Sequence, residues 1–332
     1  MKVGVVGYGY WGPNLVRNLV DMVGLENVAV CDLAQAGRNR AGRDYPGIRT
    51  EGEVGELLAD ASVGAVAIAT PAATHRDLVE RSLRAGKHVL VEKPLGTSSA
   101  EAAALLDLAG RTGRVLMADF TFVFNPAVEA LKSLLDDGRL GRVAAILSTR
   151  MNMGLHRPDV DVIWDLYVHD LSIFQYWLGG PPETVTAVGR DCVGTGKTDI
   201  AFLAARYPNG TIAQVSAAWL APRKAREMIV IGSRAMAVYD DTAAEKLLLY
   251  DSHADLIDGR VIYTTAATAV PVPVAGTEAL ARMIGHFLDC VREGRPPATG
   301  AAFSLAVLRT LEAATRALAA PGSRVSLTGW EA

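Results

Sequence analysis

Over its first ~120 residues the chain alternates short unbroken apolar runs with stretches whose apolar positions recur at helical spacing. Residues 3–6 (Val-Gly-Val-Val) predict a buried strand, and Leu15, Val16, Leu19, Val20 and Val23 mark one face of a helix behind it. Residues 28–31, 65–69, 88–91 and 115–118 repeat the strand pattern, with helices predicted over 74–84 and 99–109. Strands without polar alternation are buried on both faces, the mark of a parallel sheet covered by crossover helices.

The rhythm changes near Asn125. A helix over 127–135 precedes a strand at 143–149, and an apolar helix is predicted over 164–178. Strands then follow at 184–189, 200–207, 211–218, 228–231, 236–239 and 247–250, joined in part by turns such as Pro208-Asn209-Gly210 and Gly232-Ser233. Strands at this spacing without helices between them predict a large, mostly antiparallel sheet. Helices return at 278–291 and 302–318. The fold class expected is an α/β Rossmann-type domain with a doubly wound parallel sheet, residues 1–120, followed by an α+β domain with an open sheet, residues 121–332.

Composition narrows the function. A length of 332 residues with half of them apolar supplies two cores of ordinary size. With 33 basic and 36 acidic residues and no long block of like charge, the chain lacks the basic surplus of a general nucleic-acid binder. Cys31, Cys192 and Cys290 are too scattered for a disulfide framework or a Cys-x-x-Cys metal site. No apolar run reaches the ~18 residues of a membrane span. Nor does the first strand leave room for signal-peptide architecture. The expectation is a cytoplasmic protein with a small-molecule ligand.

The candidate chemistry begins at Gly7-Tyr8-Gly9-Tyr10-Trp11-Gly12, between the first strand and the first helix, with Pro13 suited to the first helical turn. Gly7 permits the tight turn, Gly9 lets the backbone approach a pyrophosphate, and Gly12 permits close packing of helix on strand. The helix N-terminus adds amide donors and a positive dipole. Asp32 stands 20 residues after Gly12 at the end of the second strand, where a carboxylate accepts the adenosine ribose hydroxyls. It would repel a 2′-phosphate, so NAD is expected over NADP. Arg38 and Arg40 follow and are read as exposed helix residues, the alternative being that they soften the NAD preference. Thr70-Pro71 closes another strand at the ligand-binding edge, and His75 lies near the next helix start.

Glu92-Lys93-Pro94 directly follows a further parallel strand, which directs Lys93 toward the nicotinamide side of the cleft. A lysine there hydrogen-bonds a hydroxyl or ketone oxygen and stabilises the negative charge that develops on it. In the second domain, Asp165 and His169 are four residues apart in a largely apolar helix and share one face. Burial of such a pair is costly unless it is partnered or serves a site. His169 is suited to moving a hydroxyl proton near neutral pH, with Asp165 orienting it or holding substrate. A satisfied core His–Asp pair is the alternative. Asp170 faces elsewhere and is expected to be structural.

Together these motifs resemble the glucose–fructose oxidoreductase / inositol dehydrogenase / rhizopine catabolism (Gfo/Idh/MocA) family. The resemblance extends through residues 122–126, Gly141 and Gly294-Arg295-Pro296-Pro297. It implies Lys93 and His169 at the catalytic positions with Asp165 in support, and Glu92, Thr70 and His75 along the dinucleotide. It also implies an open sheet that packs subunits into a dimer or tetramer. The stretch from Gly9 to Asn18 is similar to members that oxidise C3 of UDP-linked amino-sugar uronates and to relatives acting on sugars or cyclitols in antibiotic pathways. So is the one from Trp164 to Ser172, but Tyr167-Val168 departs from the Ala-Pro or Gly-Pro of the uronate enzymes. Asn152, His156 and Arg157, before the second-domain helix, are candidate substrate contacts, and Arg223, Lys224 and Arg226 form a small basic run. The function expected is hydride transfer between NAD and a secondary alcohol of a sugar, nucleotide-sugar or cyclitol. Two alternatives stay open, an NADPH-dependent keto-sugar reductase and a non-catalytic NAD-binding regulator.

Overall fold

The computed structural model describes residues 1–154, 156–157 and 160–328 and divides them into two compact units. The first is built on a six-stranded sheet of β1 (Lys2–Val6), β2 (Val28–Cys31), β3 (Arg49–Glu51), β4 (Val63–Ile68), β5 (His88–Glu92) and β6 (Leu116–Asp119). Their order in space is β3-β2-β1-β4-β5-β6, and every pairing is parallel. The order reverses between β1 and β4, which opens a crevice at their C-terminal ends. The helices are α1 (Gly12–Val23), α2 (Gln35–Asp44), α3 (Val54–Ala59), α4 (His75–Arg84) and α5 (Ser99–Thr112). Ser98 caps α5 by accepting the Glu101 amide at 3.2 Å.

The second unit begins at Asn125. It contains α6 (Pro126–Asp136), β7 (Val143–Met151), α7 (Val168–Leu178), β8 (Thr184–Arg190), β9 (Ile200–Arg206) and β10 (Ile212–Ala218). Then come β11 (Ala225–Gly232), β12 (Met236–Asp240), β13 (Leu247–Tyr250), β14 (His253–Ile257), β15 (Arg260–Thr264) and β16 (Val270–Pro271). With β17 (Val325–Ser326) they form a nine-stranded sheet, in the order β16-β13-β12-β11-β7-β10-β9-β8-β17, and a separate β14–β15 hairpin. Only β7 and β10 run parallel. The inner face is covered: Tyr167 donates its hydroxyl to the Val215 carbonyl of β10 at 3.3 Å, and Trp177 donates its indole N–H to the Val128 carbonyl of α6 at 3.0 Å. On the other face Leu147, Val188, Phe202 and Ile212 are exposed, one each from β7, β8, β9 and β10. Strict alternation along β9, Ala201 and Leu203 inward against Phe202 outward, shows the two faces are distinct.

The units differ from a division at residue 120. Residues 277–308 return to the first unit, carrying α8 (Ala279–Glu293) and the start of α9 (Ala301–Ala319). Leu280, Met283, Ile284, Phe287 and Leu288 bury one flank of α8, which packs on α1 and on the 3-10 turn Thr121–Phe124. Glu278 accepts both guanidinium nitrogens of Arg17, at 2.7 and 3.0 Å. A second difference lies before α7. Residues Ile163–Tyr167 form a π-helical turn, so the segment predicted as one α-helix changes winding between Asp165 and His169.

Candidate active site

The glycine turn has the close approaches that only hydrogen side chains permit. Gly7 takes a left-handed φ of +95°, and a Cβ there would stand 2.9 Å from the Ala69 carbonyl oxygen. A Cβ on Gly12 would overlap the Gly7 carbonyl oxygen, while Gly9 has open space around it. Tyr10 and Trp11 are exposed, and no side chain caps the start of α1 at Trp11. Pro13 has no N–H and the Asn14 and Leu15 amides donate to the Trp11 carbonyl, at 2.9 and 3.2 Å, so the Gly12 amide is the first-turn donor left for an anion. Asp32 accepts the Tyr8 amide at 2.7 Å and the Ala34 amide at 2.8 Å, which leaves two of its roughly four acceptor positions for a ligand's hydroxyls. Gly37 makes room for it: a Cβ there would be 2.7 Å from the Asp32 carboxylate. These residues fit an adenosine diphosphate group.

Arg38 and Arg40 are not the solvated pair the sequence suggests. Arg38 donates to the Asp32 and Leu33 carbonyls, at 2.6 and 2.9 Å. Arg40 donates to the Tyr8 and Gly9 carbonyls and lies over the Tyr8 ring, 5.0 Å from its centre. Both arginines therefore brace the loops that frame Asp32.

At the next strand ends, Thr70 accepts the Thr74 hydroxyl at 2.7 Å, and Pro71 leads into α4. His75 is buried, its two ring nitrogens 2.7 Å from the Pro94 carbonyl and 2.9 Å from the Thr70 carbonyl. A neutral imidazole can donate to only one of them, and burial holds the ring below the ordinary histidine range although both carbonyls favour protonation. His75 thus ties the Thr70 turn to the Lys93 turn. Lys93 is half-buried after β5, and the Lys93–Pro94 peptide is cis.

Beside it lies a residue that sequence reading missed. Asp119, at the end of β6, is in register with Glu92, at the end of β5. Burial raises the Glu92 carboxyl well above the usual carboxylate range, the Asp119 charge adds to this, and Lys93 opposes it. Asp119 is also raised by burial, with hydrogen bonds from Thr121 and Glu92 and the charge of Lys93 acting the other way. The available signal was position: a carboxyl ending a parallel strand next to the strand that carries Glu92-Lys93.

In the second unit, Asp165 sits in the π-turn and accepts the Trp219 indole N–H at 2.9 Å, with Arg157 3.5 Å away. His156 packs edge-on against Trp219, ring centres 5.2 Å apart, and lies 3.6 Å from the Asp199 carboxylate. Asn152, just past β7, donates its backbone N–H to the Ala218 carbonyl at 3.2 Å. The structure therefore gathers Asn152, His156, Arg157 and Asp165 around the ends of β7 and β10, with Trp219 and Asp199 as members that the sequence did not announce. His169 is half-buried in the first turn of α7. Next to it, Asp170 is buried against Arg150 Nε at 2.5 Å and the Ser148 hydroxyl at 2.5 Å, which fixes α7 on β7. Asp170 is structural, as expected. Among the described residues no helix is long and apolar enough to cross a membrane.

Known proteins resemble this chain in sequence and in fold. The family described as oxidoreductases with an NAD-binding Rossmann fold matches residues 1–120, and the GFO/IDH/MocA C-terminal domain matches residues 128–238, more than half of the chain together. The chain is 33% identical over 222 residues to inositol 2-dehydrogenase 2 of Saccharopolyspora erythraea, covering 65% of this chain and 66% of that one. Over 142 residues, 40% of this chain and 42% of the other, it is 48% identical to dTDP-3,4-didehydro-2,6-dideoxy-alpha-D-glucose 3-reductase of Streptomyces violaceoruber. The solved structure of GenD2 from gentamicin A biosynthesis, in complex with NAD, superposes with a TM-score of 0.83 at 25% identity, covering 99% of this chain and 97% of that one.

Proposed function

Because the chain belongs to the GFO/IDH/MocA oxidoreductase family and is an oxidoreductase of CH–OH groups of the sugar, cyclitol or nucleotide-sugar dehydrogenase type, we propose that it uses NAD to oxidise, reversibly, one secondary alcohol of such a substrate. The observation that carries this reading is Lys93, half-buried at the C-terminal edge of the parallel sheet on a turn anchored by His75. Gly7, Gly9, Tyr10, Trp11 and Gly12 would hold the pyrophosphate, Asp32 the ribose, and Thr70, Pro71, His75 and Glu92 the framework of the nicotinamide end. The bound nicotinamide supplies the hydride acceptor. Lys93 donates a hydrogen bond to the reacting oxygen and stabilises its developing charge. His169 takes the hydroxyl proton, and Asp165, held by Trp219, supports that end of the site, with Asn152, His156 and Arg157 as substrate contacts.

The test is nicotinamide absorbance with a panel of cyclitols, free sugars and nucleotide-sugars under NAD and NADP. Turnover with at least one alcohol is expected, with NAD favoured about tenfold or more, the scale of ~1.4 kcal/mol that a carboxylate facing a 2′-phosphate readily reaches. The identity to a dTDP-keto-sugar reductase favours a second reading, reduction of a keto-sugar. Turnover confined to NADPH and keto-sugars would select it, and tight NAD binding with no turnover would mark a regulator. The exposed apolar row Leu147, Val188, Phe202 and Ile212 supports a dimer or tetramer built on the open sheet. Light scattering at micromolar concentration should find that mass, and a stable monomer would count against it.

A further inference from the structure

Glu92 and Asp119 are the most deeply buried acidic groups at this edge of the parallel sheet, 9% and 4% exposed. They stand opposite one another on neighbouring strands, so their side chains share one face. Asp119 Oδ1 accepts the Thr121 amide at 2.9 Å and the Thr121 hydroxyl. Glu92 Oε1 and Asp119 Oδ2 are buried with no such partner. While ionised, both atoms can only accept, and two carboxylates side by side in buried positions do not both keep their charge. One proton between the two carboxyls resolves both problems. The donors already at Oδ1 favour the charge on Asp119, so the proton is carried by Glu92 and donated to Asp119. Among the charged groups that act on the pair are the two carboxyls themselves and Lys93.

We propose that Asp119 is a positioning residue for Lys93: it holds Glu92 as a neutral carboxylic acid, so that the pair sets one buried negative charge beside the Lys93 ammonium. The role rests on the reading of Lys93 as the group that holds the reacting oxygen. A single counter-charge keeps the ammonium protonated without clamping it, so it can turn to substrate. Two charges would clamp it, and none would let it lose its proton.

Infrared difference spectra of the whole protein test the shared proton without turnover. At neutral pH the wild type is expected to show the carbonyl stretch of a protonated carboxylic acid, lost in Glu92→Gln. It is lost as well in Asp119→Asn, because an amide there donates to Glu92 and leaves it ionised. Absence of that band in the wild type overturns the proposal. The pH profile of kcat/KM tests the effect on Lys93. The double variant Glu92→Gln/Asp119→Asn removes the counter-charge, so the alkaline limb should move ~1–2 units toward acid. Asp119→Asn alone keeps one charge, on Glu92, and should hold the limb near its wild-type position. A double variant that is folded by circular dichroism and keeps the wild-type limb overturns the proposal. Failure of the Lys93 reading is distinct from both: turnover would survive Lys93→Ala while the acid band remained.

Discussion

Replacing Lys93 with alanine is expected to lower kcat ~10²- to 10⁴-fold, the range of a group that moves or holds a proton in the transition state. The lysine is the only side chain of the Glu92-Lys93-Pro94 turn that can donate to an oxygen while carrying charge. Its hydrogen bond strengthens as the alcohol oxygen becomes anionic, so its loss should appear in kcat and kcat/KM together, with a smaller effect on KM. His169→Ala should fall in the same range, and the two losses should not add, because in the proposed mechanism both groups serve one proton transfer. Steady-state kinetics with the panel's best substrate reads this directly. Turnover left intact in Lys93→Ala would remove the mechanism.

Asp170→Ala should destabilise the second unit by about 3–5 kcal/mol, the cost of breaking a buried ion pair by removing one partner. Arg150 and Asp170 are 4% and 1% exposed at their side chains, so water cannot take over the lost partner in place. Ser148 loses its acceptor at the same time. The measurement is denaturant unfolding followed by fluorescence, with the midpoint for the second unit moving down at unchanged slope. A change below about 1 kcal/mol would mean that Arg150 finds solvent by moving. Asp170 adjoins His169, so the surviving folded fraction should also show weakened turnover.

Much of the first unit was legible because its strands are unbroken apolar runs and its chemistry lies at strand ends, where spacing along the chain carries the information. The exceptions have physical causes. Strand β3 is Arg-Thr-Glu on the sheet edge, and helix α2 buries only Ala41, so neither has an apolar pattern to read. The β14–β15 hairpin keeps Leu256, Ile257, Val261, Ile262 and Tyr263 in the open, the reverse of the burial on which periodicity depends. Asp165 and His169 were found as a pair by α-helical spacing, yet the turn between them is π-helical, a local winding that residue spacing does not encode. Asp119, Trp219 and Asp199 owe their places to partners 27, 54 and 43 positions away, at Glu92, Asp165 and His156. No local pattern reports such contacts.

The return of residues 277–308 to the first unit has a consequence for recombination and for engineering. Chain order suggests a cassette that ends near residue 124 and could be exchanged for that of a relative with another cofactor preference. Such a graft would separate α1 from α8 and Arg17 from Glu278, and would strip the cover from the turn at Thr121–Phe124. A workable chimera needs two crossovers, so that both pieces of the discontinuous unit come from one parent.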